Sequence, residues 1–391
     1  MNIKFLFITL ILLLNLGTTL QAQSNVSNEV SDVGSADTGV KTIDKLLNVV
    51  DYFSHEDEKY AIAAYPAVAY SPRDGMRFGG LSIIKIKNQN TDNQWYRPTL
   101  LMPQLTWSTK NQVKAELGYD VYLKHWNLQG NLNLALLPND EFYGIGRNTS
   151  STQFTRYTSN SFDYLGEFNY MVHQKIMFGL AFNFRHQEVT DIEQPELMPA
   201  DTPGYEGGLL FGFGPVFRWD TRNNNFYPTS GHWLNLQALS YNNGLSDYRF
   251  LTFNAEIRKF WSSANEKNIL AFQARIDVSN HDRPFFMMAG IGGSKRLRGI
   301  DHFNRFLDNN AWFTQIEFRK HLWWRFSGAS WAGMGQTAHR VEEFDLQHLQ
   351  AVGGLGIRFQ ATKTDRMNVR VDVGFGSGGQ KGLYLSILEA F

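Results

Sequence analysis

The sequence contains no cysteine. This absence excludes a disulfide framework, a metal site built on thiolates, a cysteine nucleophile and a lipid anchor attached through cysteine. Net charge is missing as well, because 37 Lys and Arg residues balance 37 Asp and Glu residues. A chain without net charge lacks the excess of positive charge that attracts nucleic acid, so we expect no nucleic-acid partner.

Long apolar runs are missing after the N-terminus. Phe5–Leu16 is nearly unbroken in its apolar character, but it is too short to cross a bilayer as a helix. Lys4 precedes it and small or polar residues follow up to Ala22. The pattern predicts a signal peptide over residues 1–22, with an uncleaved anchor as the alternative. A helical membrane protein is excluded, so a membrane protein with this sequence would be a β-barrel.

Catalytic and metal-binding patterns are missing too. The 10 His residues are scattered along the chain, and no pair has metal-ligand spacing. Neither a nucleophile with an aligned base nor a phosphate-binding loop can be recognised. We expect no enzymatic activity, no cofactor and no metal; a barrel enzyme is a remote alternative.

Residues 23–59 are predicted to form a periplasmic leader. Gln23–Val40 is rich in Ser, Asn, Asp and Gly and has no periodicity, which is typical of a flexible segment. In Thr42–Phe53 the apolar residues recur near helical spacing. This stretch is predicted to be either a short amphipathic helix or an ordered tail.

From Tyr60 onward, apolar and polar residues alternate with a period of two. In Trp126–Leu136, for example, leucines alternate with Asn and Gln. Such alternation indicates strands with one dry and one wet face. The segments run to about ten residues, the length that a tilted strand needs to cross a bilayer. A secreted soluble β-sandwich is the alternative, although its strands are usually shorter.

Sixteen such segments predict an all-β fold, a transmembrane antiparallel β-barrel over residues 60–391. From the fifth segment on, long and short connections tend to alternate, as in outer-membrane barrels. The protein is therefore predicted to lie in the cell outer membrane, in contact with its lipid. The predicted strands are 60–70, 76–87, 96–107, 112–123, 126–137, 158–171, 175–188, 208–220, 232–241, 248–261, 268–280, 311–320, 327–338, 349–360, 367–376 and 383–391.

The last predicted strand ends on an aromatic residue, Phe391. An aromatic end to an alternating strand is usual in outer-membrane barrels and is predicted to serve as a terminal assembly signal. Leu385, Ile387 and Phe391 are expected to share its apolar face. Glu389 stands where a further apolar residue is expected.

A family resemblance appears at Gly292-Gly293-Ser294-Lys295-Arg296-Leu297-Arg298-Gly299. This segment resembles the loop-six signature of the BamA/TamA superfamily of outer-membrane assembly factors and secretion pores. The resemblance implies a loop that folds back into the lumen, where its Arg, within the motif Leu297-Arg298-Gly299, meets acidic groups on the inner wall. The strand count places this loop between strands 11 and 12, which is its position in the family.

A second match covers the connection after strand 8. Asp220, Arg222, Pro228 and Gly231 resemble the family's Asp-x-Arg and Pro-x-x-Gly turn. With further similarity in Gly354–Arg358, the resemblance extends over most of residues 60–391.

The acidic partner of Arg298 can be predicted from alternation. Within strand 12 the apolar residues face outward and Glu317 faces the lumen, so we expect Glu317 to pair with Arg298 and lock the loop. The resemblance implies a further Asp on strand 13, which this sequence lacks there; Asp277 or Asp372 could substitute. The alternative is an ordinary outer loop with a solvated Arg298.

The resemblance implies a role in outer-membrane protein insertion or export, in company with periplasmic or outer-membrane assembly proteins. Full-length assembly factors of the family carry periplasmic POTRA repeats, and residues 23–59 are too few to hold one. A short form without POTRA domains is therefore predicted. The alternative function is a passive pore or structural surface antigen.

Overall fold

The structure, a computed structural model, describes residues 54–87, 98–361 and 366–391. The predicted signal peptide and the predicted helix or tail at Thr42–Phe53 lie outside these residues. Within the predicted leader, Ser54–Glu56 forms a short strand that pairs with the first barrel strand.

The described residues form sixteen long strands, as predicted, in one antiparallel sheet. Their bounds are β1 Tyr60–Ser71, β2 Gly75–Ile86, β3 Thr99–Ser108, β4 Val113–Leu123, β5 Trp126–Phe142, β6 Thr155–His173, β7 Ile176–Thr190, β8 Gly207–Asp220, β9 Gly231–Ser240, β10 Leu251–Ser262, β11 Asn268–Ser279, β12 Asn310–Trp323, β13 Phe326–Ala338, β14 Gln350–Gln360, β15 Asn368–Gly376 and β16 Gln380–Ile387.

Each strand pairs with the next along the chain, and β16 pairs with β1, which closes the barrel. The closing seam is short. It consists of one residue pair, Tyr70 with Leu385, whereas β1 pairs with β2 over its whole length. Most of the edge hydrogen bonds that closure can supply are therefore not made at this seam.

The predicted alternation sets the two faces of the wall. In β12, Gln315, Glu317 and Arg319 are buried, while Ile316 and Phe318 on the other face are about two-fifths exposed (43% and 41%). Large apolar side chains cover the outside of other strands in the same way. They include Leu105, Trp107, Phe178, Leu180, Leu355, Ile357 and Phe375.

The two-residue turns after β4, β6 and β12 lie at one end of the barrel, and the longest described loops, residues 191–206 and 280–309, lie at the other. The turns after β4 and β12 begin with Lys124 and Trp324, which have φ values of 50° and 48°. Left-handed backbone at this position fits the twist of a tight hairpin. In the described part of the chain, no helix is long and apolar enough to cross a membrane.

Some predicted boundaries were wrong. β5 continues to Phe142, beyond the predicted range 126–137. β6 begins at Thr155, before the predicted range 158–171. Pro138 and Asn139 have the composition of a loop, yet the ladder continues past them through a register shift between Leu137 and Asp140.

The last strand differs most from its prediction. β16 covers Gln380–Ile387 rather than 383–391, because Leu388 adopts a φ of 69° and ends the ladder. Phe391 therefore does not continue the apolar face of Leu385 and Ile387. It is buried together with Ala390, Phe260 and Ala271.

Candidate functional site

The connection between β11 and β12, residues 280–309, is the longest in the described part of the chain. Its neck is a two-residue ribbon in which Ala289–Gly290 pairs with Leu307–Asp308. Beyond the neck the loop packs against the inward face of the wall. Ile291, Leu297, Ile300 and Phe306 of the loop share an apolar cluster with Ala311, Phe313 and Val352 of the wall.

Arg298 is fully buried at the tip of this loop. Its guanidinium donates hydrogen bonds to the Glu317 carboxylate of β12 and to Asp372 Oδ2 of β15, the latter at 2.8 Å. Of the two acids considered as a second partner, the structure therefore brings Asp372 to Arg298. Asp277 instead pairs with Arg283, with 2.9 Å between Nη2 and Oδ1.

Trp331 of β13 holds Arg298 from a third direction. The Arg298 guanidinium carbon lies 3.9 Å from the ring centroid of Trp331, within the range of a cation–π contact. The Trp331 indole N–H also donates to the Arg298 carbonyl oxygen at 3.0 Å. Trp331 stands on the strand where the family resemblance implied an Asp.

Gly299 allows the loop tip to lie against β15. Its φ is 141°, and a Cβ there would come within 2.6 Å of the Phe375 carbonyl oxygen. Tyr384 of β16 donates to the Ile300 carbonyl oxygen at 2.8 Å. An Arg-Gly pair suits this position because a side chain on the residue after Arg298 would collide with the backbone of β15.

The wall around Arg298 forms a larger ionic cluster, which we call the lumenal cluster. It comprises Arg298, Arg319, Arg358, Arg370, Glu317, Asp372 and Glu389. Glu317 accepts from Arg319 Nε at 2.6 Å and from Arg358 Nη2 at 3.2 Å. Arg358 and Arg370 both donate to Asp372. Four guanidinium groups thus face three carboxylates, and all seven residues are less than 9% exposed.

The opposite charges of the lumenal cluster compensate each other, which offsets the cost of burying them. A charge removed from water costs several kcal/mol unless partners surround it. Each carboxylate between two or three guanidinium groups meets that condition. The arrangement can hold the loop rigidly against β12, β13, β15 and β16, but it presents no nucleophile with an aligned base. Among the described residues, no group of three His, Asp or Glu is placed to hold a metal ion.

Comparison with known proteins identifies the family. The Omp85 superfamily domain model matches residues 80–305, more than half of the chain. The chain belongs to the Omp85 superfamily. It is an outer-membrane β-barrel of this superfamily. No curated protein sequence matches it.

Solved structures of Omp85 proteins share the fold. BamA from Haemophilus ducreyi lacking POTRA domains 1–3 is 12% identical, with a TM-score of 0.55 over 85% of this chain and 70% of that one. CdiB from Acinetobacter baumannii is 13% identical, with a TM-score of 0.55 over 85% and 60%. CdiB from Escherichia coli is 8% identical, with a TM-score of 0.54 over 86% and 64%. The chain thus spans less than two thirds of either CdiB.

The Asp220 turn, predicted from the family pattern, is built around one carboxylate. Asp220 is buried and accepts from the backbone N, Nε and Nη2 of Arg222, each at 3.0 Å. Gly231 has a φ of 97°, and a Cβ there would collide with the Thr221 carbonyl. Pro228 is buried within the same turn. These four residues shape the β8–β9 connection of the Omp85 barrel and lie apart in sequence from the loop motif.

The two other glycines of the loop motif shape the path of the chain before Arg298. Gly293 has a φ of 95°, which favours glycine. At Gly292, a Cβ would come within 2.6 Å of the His302 carbonyl oxygen. Leu297, by contrast, is an apolar anchor that is fully buried.

Glu389 was singled out in the sequence only as a departure from the apolar pattern. Because the chain turns inward at Leu388, the Glu389 carboxylate reaches the lumenal cluster. It accepts from Asn368 Nδ2 at 2.7 Å and lies 3.6 Å and 3.5 Å from the Nε atoms of Arg319 and Arg358. Arg319 also donates to the Phe391 carbonyl oxygen at 3.1 Å.

The loop is attached to the barrel wall at a second place, which the sequence did not predict. The buried His302 ring has Nε2 3.0 Å from Glu141 Oε2 of β5 and Nδ1 3.4 Å from Asp301 Oδ2. Burial acts to lower the pKa of His302, but the two carboxylates outweigh it and the net shift is upward. Tyr143 donates to the same Glu141 at 2.6 Å. No local pattern marks these residues, because β5 and the loop are distant in sequence.

Proposed function

We propose that this Omp85 barrel takes part in inserting proteins into the outer membrane or exporting them across it, together with periplasmic or outer-membrane assembly proteins. The β1–β16 seam carries the proposal. Opening a seam made of one residue pair breaks few hydrogen bonds and exposes two strand edges. Such edges can pair with a strand of another protein. The proposed role needs no catalytic residue, cofactor or metal.

The loop contacts support a one-sided opening. Tyr384 ties β16 to the loop through the Ile300 carbonyl, and Gly299 packs on β15. The lock formed by Arg298, Gly299 and Glu317 would therefore hold the last strands in place. In this proposal β1 is the strand that moves when the seam opens.

The alternative is a passive pore or structural surface antigen. The lumenal cluster suits it as well, because a network of buried ion pairs would also rigidify a barrel without moving parts. Planar-bilayer recordings separate the two functions. A passive pore is expected to conduct steadily, and more so when the loop around Arg298 is removed.

Depletion tests the proposed function directly. Lowering the level of this protein in its own cells should reduce the amounts of other outer-membrane barrels in quantitative proteomics of the membrane. Affinity purification from membranes should recover assembly proteins. If no other outer-membrane protein changes on depletion, the insertion or export role is wrong.

A disulfide across the seam asks whether opening is needed. The chain has no cysteine of its own, so a Tyr70→Cys and Leu385→Cys pair is uniquely reactive. The matched control joins β1 to β2 through Val68→Cys and Phe78→Cys, which are directly opposite in the ladder. Under oxidising conditions the seam disulfide should block rescue of depleted cells, whereas the control and the reduced seam variant should rescue.

A further inference from the structure

The lumen contains a cavity that the lumenal cluster does not fill. Its volume is about 600 Å³, within the range of small-molecule sites in proteins. It lies inside β1–β5, beside the loop segment Ser294-Lys295 and the seam strand β16.

Part of the wall of this cavity is apolar. The apolar residues that line it from the inward faces of the first three strands are Ala67, Ala69, Leu81, Ile83 and Met102, and the polar lining residues of the same faces are Ser71, Arg77, Gln104 and Thr106. On β5, by contrast, the inward positions carry Asn127, Gln129, Asn131 and Asn133. An apolar lining inside an otherwise polar barrel is a feature of a ligand site.

Cationic side chains line the cavity beside this apolar surface. Lys295 of the loop is exposed towards it, and no carboxylate of the described residues lies within salt-bridge distance of its Nζ. Lys114 and Arg77 share a single carboxylate, Asp74, at 3.5 Å and 2.9 Å. Arg370, which donates to Asp372, and Glu116 also line the cavity, so four cations and two anions surround it.

The cavity also reaches the seam. Its lining includes Val68 and Tyr70 of β1 and Leu385 and Ile387 of β16, which belong to the outward faces of their strands. Residues of both faces can line one cavity only where the wall between them is incomplete. The short β1–β16 ladder thus gives the cavity a side that adjoins lipid.

From this arrangement we propose that the cavity binds an anionic amphiphile, a single acyl chain with a carboxylate or phosphate head, which enters from the membrane through the seam. The acyl chain lies on the apolar wall of β1–β3, and Lys295 binds the head group. Two contributions provide the binding free energy: removal of the acyl chain from water and a charge-assisted contact between the head group and Lys295. This site does not depend on the proposed insertion role, since it can be filled whether or not other barrels need this protein.

Binding is measured with the full chain in zwitterionic nanodiscs. The probe is a dansylated fatty acid, and its methyl ester is the uncharged comparison. Lys295→Gln should weaken binding of the acid by at least about tenfold, the size of a lost charge-assisted hydrogen bond, and should leave the ester unchanged. Ala69→Phe, which fills the cavity, should weaken both. Lys124→Gln, in the distant β4–β5 turn, is the matched control and should change neither.

Competition identifies the source of the head group. Displacement of the probe by oleate assigns a free fatty acid, and displacement by lysophosphatidylglycerol assigns a lipid phosphate; either result supports the site. Equal binding of acid and ester together with an unaffected Lys295→Gln variant overturns the proposal. So does probe binding that Ala69→Phe leaves intact, provided that this variant keeps the heat-modifiable gel mobility of a folded barrel.

Discussion

Arg298 and Trp331 are bound to each other in two ways. The guanidinium carbon of Arg298 lies 3.9 Å from the Trp331 ring centroid, and the Trp331 N–H donates to the Arg298 carbonyl oxygen at 3.0 Å. Side chain and backbone of the same loop residue are thus held by one wall residue. Both contacts are made in the orientation in which Arg298 donates to Glu317 and Asp372.

Neutralising Glu317 should damage the barrel more than removing the charge of Arg298. Glu317→Gln leaves four guanidinium groups facing two carboxylates, whereas Arg298→Gln leaves three facing three. We expect Glu317→Gln to lower the free energy of unfolding by about 3–5 kcal/mol, the cost of leaving buried charge uncompensated. Arg298→Gln should cost less and should mainly increase proteolysis within residues 280–309.

The measurement is the temperature at which the folded form disappears in a gel-mobility assay. Glu188→Gln, at an exposed position of β7, is the control and should match the unchanged protein. An Arg298→Gln variant that melts lower than Glu317→Gln would contradict the charge count of the lumenal cluster.

Gly299→Ala should displace the loop tip. The φ of 141° is unfavourable for alanine, and the added Cβ would meet the Phe375 carbonyl oxygen at 2.6 Å. Strain of this kind costs about 1–3 kcal/mol. Limited proteolysis of the loop should become faster, while Gly244→Ala, with open space around it, should behave like the unchanged protein. Equal cleavage rates for the two variants would show that the close approach at Gly299 is unimportant.

The His302 attachment should weaken as the pH rises. Asp301 and Glu141 raise the pKa of His302 in the folded protein despite its burial, and Arg305 and Lys110 are the cations that contact these acids. A raised folded pKa means that the stabilisation is complete below the unfolded pKa, about 6.5. It is lost as the pH rises through the higher folded value.

Protease protection of residues 280–309, followed from pH 5 to pH 9, tests this. Protection should fall through neutral and mildly alkaline pH, and His302→Gln should flatten the profile. His348→Gln, in the β13–β14 loop, serves as the control. If the His302→Gln variant retains the pH dependence of the unchanged protein, another group is responsible.

Glu389→Gln should destabilise the barrel less than Glu317→Gln. Glu389 lies 3.5–3.6 Å from its two Arg partners and accepts a hydrogen bond from Asn368 that a Gln oxygen can also accept. We expect a loss of about 1–2 kcal/mol, near the value of one hydrogen bond to a charged group. The same gel assay applies, with Asn368→Ala as a second variant. A loss as large as that of Glu317→Gln would mean that the inward turn at Leu388 is a principal support of the cluster.

Much of the barrel could be predicted from local alternation. Because polar and apolar residues alternate with a period of two, the sequence indicates which side chains of a strand face the lumen. It does so for Glu317, Arg319 and Asp372 without knowledge of the fold. The strand count and the place of the loop between strands 11 and 12 followed from the same signal. The pattern failed at Pro138 and Asn139. These residues have the composition of a loop, but the strand pairing continues past them through a bulge.

The sequence by itself determined the faces of the strands, their number and the candidate loop, because these depend on neighbours along the chain. Only the tertiary structure decided which inward residues meet. Asp372 rather than Asp277 faces Arg298, Trp331 supports it, and Glu389 turns into the cluster, because register, closure and the path of the loop combine residues from distant strands. No pattern within one strand contains that information.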